Sequence, residues 1–171
     1  MDFKHLRRRC EARLKELDVP VPFDAPAFCD ELARRRGRPI VLQPAVCGKG
    51  FYGLWVATPD ADVIFYEQET SALHQEHILV HEVCHLLCGH EPLHVADSTA
   101  LLALVPELRT AAVQHMLQRA GYSTEEEQEA ELLASLILER QAACAPERPA
   151  GPAAAALNRR LETSLAERRE A

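Results

Sequence analysis

Residues 71–89 read Ser-Ala-Leu-His-Gln-Glu-His-Ile-Leu-Val-His-Glu-Val-Cys-His-Leu-Leu-Cys-Gly. The stretch opens on a helix-capping residue type and closes on a glycine, with no proline or glycine between them, which predicts one helix from Ser71 to about Cys88. Each helical residue turns by about 100°, so Leu79, Val80, Val83, Leu86 and Leu87 gather on one arc that needs burial. His81 and His85 fall on the other side, about 40° apart, close enough for both imidazoles to reach one metal ion. Glu82 lies one residue's rotation away. That is a poor position for a third ligand and a good one for a general base acting on water that the metal activates. His74 and His77 fall on the same side in the preceding turns, and Cys84 and Cys88 lie on it too. The expected picture is a stripe of ligand-type side chains facing a cleft.

Working outward, Ile40-Val41-Leu42, Phe51 to Thr58 and Val63 to Tyr66 have the branched and aromatic content of strands, and Pro59-Asp60-Ala61-Asp62 has turn chemistry. They predict a small three-stranded, mostly antiparallel sheet beside the motif helix. Residues 2–17, with Phe3, Leu6, Cys10, Leu14 and Leu17 at spacings of three and four, predict a first helix. Asp24 as N-cap, Pro26 in the first turn and Gly37 as the stop predict a second. Downstream, residues 98–119 read as helix interrupted near Pro106, and Ser123 or Thr124 caps a helix running to about Cys144. The fold class expected is α+β and mainly helical. One domain spans residues 1–145, followed by an Ala/Pro-rich tail, 146–171, that can form a weak helix.

A zinc site built on His81 and His85 needs a third protein ligand and an open position, and the acidic start of the last helix is the source. It offers Glu125, Glu126, Glu127, Glu129 and Glu131. The apolar set Ala130, Leu133, Ala134, Ile137 and Leu138 fixes the buried face, with Glu127 along its edge and Glu131 next on the same side. Helical geometry alone leaves these open.

At 171 residues, 47% of them hydrophobic, the chain has enough apolar content for one good core. A net charge of −7 argues against general affinity for nucleic acid or anionic lipid. The clusters Arg7-Arg8-Arg9 and Arg34-Arg35-Arg36 sit beside acidic residues and read as solvated helix faces. No apolar run approaches the roughly 18 residues of a membrane span, nor does the N-terminus resemble a signal peptide, so the expected address is the cytoplasm. Six cysteines without framework spacing read as reduced thiols. Tyr52 and Tyr66 read as packing residues, and His90 and His94 as solvated loop histidines. Cys88 is the thiol whose position near a metal gives it a chance to ligate or to act as a redox switch.

The ordered set of a strand pair (Trp55 to Tyr66), the helix with His81-Glu82-Val83-Cys84-His85-Leu86 and the downstream Glu127-Gln128-Glu129-Ala130-Glu131-Leu132-Leu133-Ala134 resembles the ImmA/IrrE family of zinc metallopeptidases over roughly residues 25–140. In that family the second motif reads Glu-x-x-Ala-Asn or Ala-Asp, then an aromatic and Ala, then Leu-Met-Pro. Here Glu131 stands for the Asn or Asp, Leu133 for the aromatic and Ile137-Leu138-Glu139 for the ending. The resemblance implies a minimal zincin fold with Zn2+ held by His81, His85 and Glu127, and Glu82 as catalytic base. It also implies a peptidase of restricted specificity whose protein substrate is a partner helix-turn-helix regulator. The alternative is a non-catalytic regulatory or toxin-antitoxin protein in which zinc only ties helices together. That reading requires a fourth ligand such as Cys88, His77 or His94.

Overall fold

The computed structural model describes residues 2–47, 52–94 and 122–144. The helix expected over 98–119 and the tail 146–171 lie outside them. The described residues form an α+β unit of four helices, α1 (Phe3–Glu16), α2 (Ala25–Arg36), α3 (Ala72–Cys88) and α4 (Thr124–Cys144), and four strands, β1 (Ile40–Ala45), β2 (Gly53–Ala57), β3 (Asp62–Glu67) and β4 (Leu93–His94).

The sheet differs from the three-stranded, mostly antiparallel one expected. It is mixed, in the order β1-β3-β2-β4. The Pro59 to Ala61 turn makes β2 and β3 an antiparallel hairpin, with Trp55 opposite Ile64. β1 then pairs parallel with the free side of β3, Ile40 opposite Asp62, and β4 pairs parallel with β2. The physical reason is burial: β3 is the most buried strand, and a place between two neighbours is where its Ile64 and Phe65 lose most water. β1 is left at an edge, where Pro44, which has no N–H to give, is tolerated. β4 has two residues, too few to leave a pattern in the sequence.

Alternation along the strands divides the core. Trp55 and Ile64 face a main cluster with Phe28, Leu32, Val83 and Leu133, while Val56 and Phe65 face a smaller one with Ala45 and Cys47. Asp62, buried at the start of β3, accepts from Trp55 Nε1 at 3.2 Å and Arg36 Nη2 at 3.0 Å, with Arg38 Nε at 3.2 Å. Three donors compensate the charge and tie α2 to the sheet. The basic clusters are thus not uniformly solvated as expected. Arg36 and Arg9 reach the buried carboxylates of Asp62 and Glu129, whereas Arg7, Arg34 and Arg35 pair at the surface with Glu11, Glu31 and Asp18.

The caps fix where the functional helices begin and end. Ser71 accepts from the His74 N–H to start α3. Gly89 ends it in the left-handed region at φ 74°, and the His90 N–H returns to the His85 carbonyl at 3.1 Å. That bond folds His90 back against the helix instead of releasing it into a loop. At the start of α4, Ser123 Oγ accepts from the Glu126 N–H and Glu126 accepts from the Ser123 N–H, at 3.3 and 2.8 Å. This reciprocal capping box sets the helix's rotation from its first turn. No helix among the described residues is long and apolar enough to cross a membrane.

Candidate metal centre

α3 packs between the sheet and α4. The arc Leu79, Val80, Val83 and Leu86 is buried as the spacing predicts, but the opposite face is largely covered too: His85 is wholly buried and Glu82 is 6% exposed. The open cleft expected on this face is narrower than the stripe implied. Cys84 is fully buried.

One turn of helix brings His81 Nε2 and His85 Nε2 to 3.0 Å. Glu127, in the first turn of α4, places Oε2 3.3 Å from His81 Nε2 and 3.8 Å from His85 Nε2. The ligand atoms of these three residues all lie within 4.8 Å of one another. Glu131, one turn on, stands outside the trio, with Oε2 3.3 Å from His81 Nδ1 and 3.4 Å from His77 Nε2. Glu126 is used in the capping box and Glu129 points away toward Arg9. A groove of about 660 Å³ opens beside His81, lined among others by Phe3, Leu6, Leu132, Glu127 and Glu131.

The electrostatics follow from burial and from an excess of carboxylates. Burial, with His81 and His90 alongside, pushes the His85 pKa down to about 3, so His85 is a neutral imidazole. Its ring stacks on Tyr122, centroids 3.6 Å apart. Burial also acts to lower His81, but the hydrogen bond to Glu127 and the charges of Glu82, Glu127 and Glu131 outweigh it and raise the pKa. Burial drives Glu82 up to about 7, against the pull of His81; Glu127 adds to the rise and the Trp55 backbone N–H opposes it.

Two imidazole nitrogens and a carboxylate are a zinc donor set with a position to spare. The fit has a second support. Glu82 Oε2 is buried beside the histidines with no hydrogen-bond partner, as expected of a group whose partner is a ligand or water of the site. Among the described residues, the basic partners of Glu127 and Glu131 are the histidines His77, His81 and His85.

The other candidates are placed as follows. His74 bonds Thr70 Oγ1 at 2.8 Å, and its ring lies against half-exposed Tyr52. Tyr66 packs at the edge of the main core. His94 is exposed and pairs with Glu91. His90 corrects the expectation of a solvated loop histidine: it is buried, with Nδ1 2.9 Å from His85 Nδ1. Cys88 joins a separate group with His90 and Glu129, and burial followed by the Glu129 charge pushes its thiol up to about 12. A thiol so held stays protonated near neutral pH.

Two contributors were missed. Gly53 lies so close to α3 that a Cβ there would come 2.6 Å from Glu82 Oε1 and 2.7 Å from Ile78 Cγ2; a glycine inside a strand pattern was the available signal. Tyr122, just before the capping box, carries no signal of its own.

No protein-family model matches the chain, and no curated protein matches it.

Proposed function

We propose that the chain is a zinc-dependent endopeptidase of restricted specificity, with the minimal zincin arrangement that its resemblance to the ImmA/IrrE family implies. We further propose that it works in the cytoplasm on a helix-turn-helix regulator. The observation that carries the reading is the convergence of His81, His85 and Glu127 within 4.8 Å, with Glu82 buried beside them. The rival reading, a closed zinc site in an interaction protein, needs Cys88, His77 or His94 as a fourth ligand. Cys88 lies in a different group, His77 pairs with Glu131 and His94 with Glu91.

In the proposed mechanism His81, His85 and Glu127 hold the ion. Zinc, when bound, polarises a carbonyl and makes water acidic enough to act as a nucleophile near neutral pH. Glu82 supplies the proton traffic. The Trp55 N–H steadies its carboxylate, and Oε2 is left without a protein partner, free to take a proton and give it back. Oε2 accepts a proton from the attacking water and delivers it to the departing amine. The buried surroundings of Glu82 and His85 keep bulk water from competing for that proton.

The test uses full-length protein, wild type and Glu82→Gln, loaded with zinc and incubated with a peptide library and with folded helix-turn-helix regulators. Wild type cleaves, and Glu82→Gln keeps its zinc but loses about a hundredfold or more of the rate. Cleavage by Glu82→Gln at the wild-type rate, or a wild type that binds no zinc, overturns the reading.

A further inference from the structure

Behind His85, on the side away from Glu127, lies a second group of polar side chains. His85 Nδ1 is 2.9 Å from His90 Nδ1. His90 Nε2 is buried and has no hydrogen-bond partner, but faces Glu129 Oε2 at 3.6 Å. Glu129, 6% exposed in its side chain, receives Arg9 Nη2 on both oxygens at 2.6 Å. We propose that His90, Glu129 and Arg9 form a support chain that fixes the ring and the proton of His85, so that His90 and Glu129 are positioning residues for metal binding. The inference rests on the reading of His85 Nε2 as a zinc ligand.

Proton counting carries the argument. A neutral imidazole holds one proton, and a nitrogen that ligates a metal must be bare. With Nε2 of His85 facing His81 and Glu127, the His85 proton belongs on Nδ1. At 2.9 Å from His90 Nδ1 there is room for one proton between the two nitrogens, so His90 Nδ1 is the acceptor and the His90 proton sits on Nε2. Glu129 Oε2 lies 3.6 Å from that nitrogen, a few tenths of an ångström beyond hydrogen-bond length. Arg9 Nη2, donating to both oxygens, holds the Glu129 carboxylate in place. Histidine ligands are commonly steadied by a carboxylate at the second ring nitrogen, which orients the ring and makes it a better donor. Here the carboxylate acts through an interposed histidine.

Cys88, His90 and Glu129 also lie within 4.8 Å of one another and invite a rival reading, a second metal site. A metal on His90 Nε2 would force the His90 proton onto Nδ1, against the proton already on His85 Nδ1. Two N–H groups would then face each other at 2.9 Å. Arg9 already occupies both Glu129 oxygens with positive charge. The support chain and a second ion exclude each other once His85 ligates the first.

The experiment has two parts on the full-length protein. Long-range proton–nitrogen NMR of the imidazole rings, at one neutral pH and with and without zinc, should show His85 protonated at Nδ1 and His90 at Nε2. Zinc competition against a chelating dye should then show His90→Leu binding zinc about 10- to 100-fold more weakly. His90→Asn, whose carbonyl oxygen accepts in place of Nδ1, should recover most of that loss. Zinc stoichiometry should be one per chain and unchanged in Cys88→Ser. A bare Nε2 on His90, wild-type affinity in His90→Leu, or a second zinc lost in Cys88→Ser overturns the proposal. If His90→Leu does not fold, the wild-type ring protonation decides alone. A protein that binds no zinc overturns the proposed function instead, while the zinc-free ring pattern still tests the proton arrangement by itself.

Discussion

Two groups of side chains, on α3, α4 and the residues just past α3, offer nearly the same donors but differ in their charged partners. His81, His85 and Glu127 lie on one side of the α3–α4 seam, and Cys88, His90 and Glu129 on the other. Glu127 and Glu129 are two residues apart, about 200° of rotation, so a single helix turns one carboxylate to each. The difference is Arg9. It neutralises Glu129, whereas among the described residues nothing basic except histidine pairs with Glu82, Glu127 or Glu131. Donor types alone do not make a metal site. What separates the two groups is whether positive charge has already been supplied.

The comparison can be tested hardest at its uncompensated end. Glu82 has a folded pKa of about 7 against an ordinary value of 4.5, so folding favours its protonated form. Below about pH 4.5 the group is neutral in both states and contributes nothing; between 4.5 and 7 stability falls as pH rises, and above 7 the whole cost is present. Glu82→Gln should therefore stabilise the zinc-free protein by on the order of 3 kcal/mol at pH 8 and by little at pH 4. Urea unfolding at the two pH values reads the gap, and a gap independent of pH would remove Glu82 from the uncompensated side. At the compensated end, Arg9→Ala leaves a buried carboxylate without its ion pair and should cost about 2 kcal/mol in the same assay. A neutral Arg9→Ala would mean that charge supply is not what distinguishes the groups. The smallest effect concerns the space around Glu82. Gly53→Ala brings a Cβ against Glu82 Oε1 and Ile78 Cγ2 and should lower stability by about 1 kcal/mol. Thermal unfolding at the wild-type temperature would show that Glu82 is less tightly enclosed than the contact distances state.

Much of this was legible in the sequence because it is local. Asp24, Gly37, Ser71 and Gly89 bound their helices where capping chemistry places them, and helical spacing alone put His81 and His85 on one face. The strand segments were legible, but their order was not: a run such as Val63 to Tyr66 announces a strand without saying which neighbours flank it. The choice between Glu127 and Glu131 depends on how α4 is rotated against α3, which no single-helix pattern contains. Arg9 and Glu129 are 120 residues apart and carry no mutual signal. His90 was within reach. The glycine that ends α3 implies a chain reversal, and the second residue after the helix then folds back onto its last turn, which is where His85 lies.

The capping box at Ser123 acts as the timing mark of α4. Inserting one residue between Ser123 and Glu127 would swing every later side chain by about 100°, taking Glu127 from His81 and Glu129 from Arg9 in a single step. Length changes ahead of Ser123 leave that phase untouched. Drift among descendants of this chain should accordingly tolerate insertions before Ser123 and reject them in the five residues that follow, whatever those residues are called upon to bind.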